Sequence, residues 1–310
     1  MSAGPRRRRH DPLPPAGAGR VEPPGPSTID LHTHTTRSDG MVGPADLVRQ
    51  AAAVGVRLLA LTDHDTLAGY RDVEAADAVP AGMSLLPGVE INAIVTRDLG
   101  LWEGELHILG FGMDPSDAAF EATLAAQRDR RRERFERTVA RLRELDLSID
   151  AQIGHVSATG DDALGRPTVA RALMAAGHAA SVDDAFRRLL AWGKPAYVPR
   201  TGLGPLEAIA AIRAAGGLAV LAHFGEAAAR VDVVRELADV GLGGLEVYYR
   251  SFDVATVASV GEVATALRLV ATGGSDYHGD TGTYAEAHAE LWVPPEVADA
   301  IAGVGSPAQP

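Results

Sequence analysis

Short apolar strands alternate with Ala- and Leu-rich helices from Thr28 onward, and this alternation restricts the chain to the α/β class. TIDLHTHT reads as a strand and GPADLVRQAAAVG as a helix that stops at Gly55. VRLLALTDHD is the next strand, TLAGYRDVEAADAV the next helix, and SLLPGVEINAIV and GELHILGFGM follow as strands. After Pro195 the rhythm resumes. GPLEAIAAIRAAGG, VDVVRELADVGLG and VATVASVGEVATALR read as helices, and LAVLAHF, GLEVYY and LVATGGSDYH as strands. Repeated strand–helix units predict a parallel sheet with right-handed crossovers. About seven or eight of them on one chain predict a closed or nearly closed β/α barrel.

Two segments fall outside the rhythm. Residues 115–195 hold a long charged helix, DAAFEATLAAQRDRRRERFERTVARLRELD, then PTVARALMAAG and SVDDAFRRLLAWG, with no good strand. They are read as a helical insertion capping a barrel built from residues 28–114 and 196–305. Residues 1–27 are rich in Pro, Gly and Arg and lack apolar periodicity, so a disordered, solvated tail is expected. No apolar stretch follows the RRRR run to make a secretory leader. None in the chain approaches the roughly 20 residues of a membrane span, so no membrane partner is expected.

The net charge of −12 argues against coating nucleic acid through general basicity, and no stable binding to a long polymer is expected. A small anionic substrate stays compatible, because metals and a few arginines reverse a local field. The chain has no cysteine. That excludes disulfides, zinc-thiolate sites and cysteine nucleophiles, and fits a cytoplasmic setting. Any metal must be held by His, Asp and Glu. No protein partner is predicted.

Ligand-type side chains recur where strands end. His32 and His34 stand two apart in DLHTHTTRSDG, with Asp39 beyond them; His64 lies in LTDHDT, Glu90 in PGVEINA and His107 in GELHILGFG. His223 ends LAVLAHF, and Asp276 and His278 end LVATGGSDYH. Residues i and i+2 of a strand share a face, so each His-x-His or Asp-x-His pair can grip one ion. In a parallel barrel the strand C-termini share one rim, where all these groups can converge. Such a donor set exceeds the needs of one ion, and two or three are expected. A lone strand-end histidine or a turn aspartate would be unremarkable; the recurrence on six strand segments carries the signal. His10, His155, His178 and His288 are left outside the site. Asp63 and Asp65 either orient ligands or cap the following helix.

Basic residues of the insertion are the remaining candidates. Arg166 precedes a helix opened by Pro167, and Lys194 and Arg200 lie where the chain returns to the barrel. A guanidinium there can clamp a phosphate bidentately. The helix over 128–143 interleaves Arg and Glu, and a solvated face is expected for it. Core or rim packing is the default for Tyr248 and Tyr249, with stacking on a base as the alternative.

Together DLHTHTTRSDG, LTDHDT, PGVEINA, HILGFG, AHF and GGSDYHG resemble the polymerase-and-histidinol-phosphatase (PHP) family of metal-dependent phosphoesterases, in order and across residues 29–279. GRPTVARAL and GKPAYVP within a helical insertion resemble the branch holding nucleoside 3′,5′-bisphosphate phosphatases and TrpH-like 5′→3′ exonucleases. The resemblance implies a distorted (β/α)7 TIM-like barrel with a trinuclear site. Its ligands would be His32, His34, Asp39, His64, Glu90, His107, His223, Asp276 and His278. The metal would be manganese, with zinc or iron as alternatives. The implied reaction is attack of a metal-bridging hydroxide on a phosphate ester of a small phosphorylated nucleotide, with Arg166, Lys194 and Arg200 holding a second phosphate. A short 5′-phosphorylated oligonucleotide is the alternative substrate, and histidinol phosphate a further one. An amidohydrolase with a bridging lysine is disfavoured, since no lysine ends a strand. A non-catalytic scaffold is disfavoured by the intact ligand set.

Overall fold

The structure is a computed structural model that describes residues 26–95, 104–154 and 164–302. The expected tail lies outside the described residues up to 25, as do His10 and His155. In chain order the elements are β1 (Ile29–Asp30), α1 (Pro44–Ala53), β2 (Leu58–Leu61), α2 (Ala68–Ala75), β3 (Ser84–Val95), β4 (Gly104–Phe111) and α3 (Ala118–Glu144). Three short helices follow, α4 (Asp150–Ile153), α5 (Arg166–Ala175) and α6 (Val182–Ala185), the last running into a π-turn at Phe186–Leu190. Then come α7 (Pro205–Ala214), β5 (Leu218–Leu221), α8 (Val231–Asp239), β6 (Gly244–Tyr249), α9 (Val254–Leu267), β7 (Val270–Gly274), α10 (Tyr284–Ala289) and α11 (Glu296–Ile301).

The seven strands form one sheet in sequence order. Its two edges meet at the rim, where Leu31 N donates to Gly273 O at 3.1 Å, Asp276 N to His32 O at 2.7 Å and His34 N to Tyr277 O at 2.9 Å. Asp30 bolts this seam from below, accepting from Ser275 N, Ser275 Oγ and the Tyr284 hydroxyl at 2.9, 2.7 and 2.8 Å. Gly274 is required there, because a Cβ would overlap the His32 backbone.

The sheet is not wholly parallel, which corrects one expectation. β4 runs antiparallel to both β3 and β5, whereas the other pairs are parallel. The reason is length: a parallel crossover needs a dozen or more residues, and 96–103 supply too few. The chain therefore turns straight back from β3 into β4, and the rim end of β4 is its beginning.

Apolar faces fix these elements. Leu31, Leu109, Phe111 and Val220 fill the barrel interior with Leu291, Val297 and Ile301 from the C-terminal segment and α11. Ile91, Ile108 and Leu221 pack outward against Ile209 and Ile212 of α7 and Val234 and Leu237 of α8. Leu142, Leu173, Phe186 and Leu190 form a separate core among the helices between β4 and β5. Helix α3 is N-capped by Asp117, whose Oδ1 accepts from Ala119 N and Phe120 N. At 27 residues it is long enough to join two cores. Phe120 and Leu124 belong to the barrel side, and Val139 and Leu142 to the helical side. Among the described residues, no helix is long and apolar enough to cross a membrane.

Candidate metal centre

All nine strand-end donors meet at one rim. Three sets place one ligand atom each within 4.8 Å of the others: His34, Asp39, His64 and His278; His32, His34, Glu90 and Asp276; and His64, Glu90 and His107. His223 joins them through Nε2, 3.2 Å from Glu90 Oε1. Glu90 is the centre of the arrangement, with His34 Nε2 at 3.2 Å and His64 Nδ1 at 3.0 Å from its second oxygen. His107 reaches the rim because β4 is reversed: it lies opposite Asn92, with its imidazole Nδ1 against Glu90 Oε1 and its Nε2 against the Asn92 amide.

Local backbone aims these groups. His223 and Asp276, each just past a strand, sit in the left-handed region at φ 34° and 50°. Such conformations cost about 1–3 kcal/mol each and persist where surrounding structure imposes them. At His223 the imposing contact is a hydrogen bond from its backbone N–H to Glu246 Oε2 at 2.7 Å. Asp276 receives the Tyr249 hydroxyl on Oδ2 at 3.0 Å, leaving Oδ1 to face the centre.

Buried donors here lack partners. His32 Nε2, both ring nitrogens of His34, Asp39 Oδ1, His64 Nδ1 and Asp276 Oδ1 make no hydrogen bond. An unsatisfied buried polar atom costs roughly 1–3 kcal/mol, so a cluster of them on one wall calls for cations. Imidazole and carboxylate together are the donor set for divalent first-row metals, and the residues therefore fit bound metal. Burial would lower the His32 pKa, yet Glu246, Asp276 and Glu90 drive it well above its ordinary value. Burial would raise Asp39, yet His64 and His278 hold it well below the carboxylate range.

A ring of support stands behind the donors. Glu246, absent from the sequence expectations, takes His32 Nδ1 at 2.9 Å and so turns Nε2 towards the centre. Its position in the strand GLEVYY was the available signal: a carboxylate in an apolar run. Asp63 accepts from Thr35 N, Thr35 Oγ1 and Ser38 Oγ at 2.8, 2.7 and 2.7 Å, pinning the DLHTHTTRSDG loop. It orients rather than caps, since α2 has no side-chain cap. Asp65 instead binds Arg131.

A cationic wall adjoins the centre. Glu105, two residues before His107 on the same face of β4, pairs with Arg166 at 3.4 Å and Arg200 at 3.3 Å. Burial would raise its pKa, but Arg200 foremost, then the His107 hydrogen bond and Arg166, hold it well below the usual range. Lys194, the only lysine of the chain, is exposed at a turn, and no contact joins it to this group among the described residues. The solvated face expected for the arginine-rich helix holds for Arg130, Arg137, Arg141 and Arg143, which are exposed, but not for three arginines on its other side. Arg128, Arg131 and Arg134 are buried at 4%, 6% and 7% exposure. Their i, i+3 spacing places them on one side of α3, which lies over the rim. Arg128 donates to Asp65 O at 3.0 Å, Arg131 binds the Asp65 and Asn92 side chains, and Arg134 donates to Val198 O at 2.8 Å.

A barrel whose rim gathers six imidazoles and three carboxylates beside a cationic wall defines a metal-dependent hydrolase of anionic substrates. Comparison with known proteins carries this further. The PHP domain pattern matches residues 30–180. The 5′-3′ exoribonuclease Rnm of Salmonella typhimurium is 34% identical over 275 residues, covering 86% of this chain and 89% of the relative. The 3′,5′-nucleoside bisphosphate phosphatase of Chromobacterium violaceum is 32% identical over 260 residues, covering 81% of this chain and 87% of the relative. A crystal structure from Bifidobacterium adolescentis, assigned as a metal-dependent phosphoesterase, superposes with a TM-score of 0.79 at 32% identity, covering 93% of this chain and 99% of the other. The chain belongs to the PHP-domain family, and it is a hydrolase of phosphoester bonds.

Proposed function

We propose that this enzyme removes a phosphate from a small nucleotide that carries a second phosphate, of the nucleoside 3′,5′-bisphosphate kind. One observation carries the reading: Glu105 and His107 are neighbours on one face of β4, so the arginine wall and the metal centre are two halves of one site. The distance from His107 Nε2 to Glu105 Oε2 is 4.0 Å, short enough for one small molecule to touch both halves.

In this reading three divalent ions, manganese first and zinc or iron as alternatives, would be held by His32, His34, Asp39, His64, Glu90, His107, His223, Asp276 and His278. Three overlapping donor groups at the rim, which share Glu90, His34 and His64, support a site for more than one ion. When bound, such ions supply Lewis acidity that polarises the phosphoryl group and activates water. The residues of the chain do the rest. Arg166 and Arg200 hold the non-reacting phosphate through charge-assisted hydrogen bonds. Asn92 and Glu90 fix the His107 ring from both sides. Helix α3 lies against the rim through Arg128 and Arg131, which contact Asp65.

A second reading is favoured by the similarity to an exoribonuclease: the second phosphate is the 5′ end of a short RNA. Phosphate release from adenosine 3′,5′-bisphosphate with Mn²⁺, beside His32→Ala and with a 5′-phosphorylated RNA oligomer in parallel, separates the two. Release that the substitution abolishes supports the phosphatase. Stepwise nucleotide release from RNA alone moves the function to the exonuclease. Inactivity of metal-loaded protein on both rejects the substrate class.

A further inference from the structure

Strand β6 supplies none of the nine donors, yet two of its side chains face them. Glu246 and Tyr249 lie three positions apart, an odd spacing that points them to opposite faces of a regular strand. The pairing with β7 shifts between Glu246 and Tyr248: Glu246 stands opposite Thr272, whereas Tyr248 and Tyr249 stand opposite Gly273 and Gly274. A bulge of this kind re-aims the side chains that follow it. Tyr248 turns to Trp292, with ring centroids 5.7 Å apart, and Tyr249 turns to the rim.

There Tyr249 stands between the two donors held in the left-handed region, His223 and Asp276. Its ring packs on the His223 imidazole at 5.5 Å and is backed by Phe252 at 5.1 Å. Its hydroxyl donates to Asp276 Oδ2 at 3.0 Å. The other carboxylate oxygen, Oδ1, lies 3.3 Å from His32 Nε2 and 3.2 Å from His34 Nε2, and is one of the buried atoms without a hydrogen bond. A carboxylate can ligate through one oxygen or through both. With Oδ2 engaged by the phenol, Asp276 has one oxygen to give.

Resting on the metal centre of the function proposed above, we propose that Tyr249 is a positioning residue that limits Asp276 to single-oxygen ligation, which keeps a coordination position open for a phosphoryl oxygen of the substrate. Freed of the phenol, Oδ2 would turn in and take that position. Metal would then bind at least as well, while the ester would react worse. A tyrosine that only filled space would behave differently, with metal affinity and turnover falling together.

The test compares full-length wild type with Tyr249→Phe, which keeps the ring against His223 and Phe252 and removes only the hydroxyl. Free Mn²⁺ is counted by electron paramagnetic resonance during titration. Turnover is followed on adenosine 3′,5′-bisphosphate and on p-nitrophenyl phosphate, whose leaving group departs without needing a proton. In Tyr249→Phe, Mn²⁺ affinity should equal or exceed that of wild type, and kcat/KM should fall roughly 10- to 100-fold, by the same factor on both esters. A parallel loss of affinity and turnover, or wild-type values for both, overturns the proposal. A loss confined to the bisphosphate also overturns it, because the phenol would then be a proton donor to the leaving oxygen. If wild type binds Mn²⁺ without hydrolysing the bisphosphate, the proposed substrate fails on its own, and the p-nitrophenyl ester and the Mn²⁺ affinity still decide the role of Tyr249. Wild type that binds no Mn²⁺ refutes the metal centre and this proposal with it.

Discussion

Glu246 clasps His32 from behind: the Oε1–Nδ1 distance is 2.9 Å, both side chains are fully buried, and Oε2 takes the backbone N–H of His223. One carboxylate on β6 thus sets the ring orientation of one donor and the backbone strain of another. Removing it is expected to reduce metal affinity by about 10- to 100-fold. Titrating Glu246→Ala with Mn²⁺ while following free ion by electron paramagnetic resonance measures this, and Glu246→Gln should lose less. An Ala variant that binds metal like wild type would show that the clasp is incidental.

The unpartnered nitrogens and oxygens of the rim make stability depend on metal. Chelator-treated protein should melt lower than metal-loaded protein. A ligand at a hundred times its Kd adds about 2.7 kcal/mol, which for a chain of this size is on the order of 5–10 °C. His34 has both ring nitrogens unpartnered, so His34→Ala should blunt most of the gain. Differential scanning calorimetry with Mn²⁺, Zn²⁺ or Fe²⁺ returned in turn ranks the ions. An identical melting point with and without metal would mean that the donors do not bind it.

Asp65 is the counter-charge of Arg131, and both are almost wholly buried. Truncating Asp65 to Ala leaves the guanidinium with Asn92 and is expected to cost about 3–5 kcal/mol. Asp65→Ala combined with Arg131→Met should recover much of that loss. Urea unfolding of the two single variants and the double variant closes the cycle; strictly additive losses would show that the pair is uncoupled.

Gly274→Ala pushes a methyl into the backbone and Cβ of His32 across the barrel seam. The strands must part there, at an expected cost of about 1–3 kcal/mol. Because His32 moves with the seam, Mn²⁺ binding should weaken in the same variant. Stability lost with metal affinity intact would place the adjustment on β7 alone.

The gathering of these nine side chains at one rim was legible because they lie at or just beyond strand ends, and strand ends converge whatever fills the helices between them. His107 was placed correctly in the rim set for an incomplete reason. A parallel β4 would carry it towards the opposite end, and the short 96–103 connection is what forbids that. The buried arginines were not legible from composition. RDRRRERFER has as much acid as a solvated helix needs, and only the i, i+3 spacing of Arg128, Arg131 and Arg134 separates the buried side from the wet one. Glu246 was hidden by its ordinariness, since GLEVYY differs from an inert strand by one carboxylate whose partner is 214 positions away. The loop between Glu90 and His107, over 96–103, lies outside the described residues.

The seam between β1 and β7 has a consequence for how the protein comes into being. His32 and His34 leave the ribosome early, and their neighbours Asp276 and His278 leave near the end, yet the four stand in contact. A nascent chain stopped before residue 270 lacks Asp276 and His278 of the rim and has an open strand edge at each end of its sheet. The rim is therefore closed only when synthesis is complete: the growing polypeptide lacks its full donor set until β7 docks against the first strand.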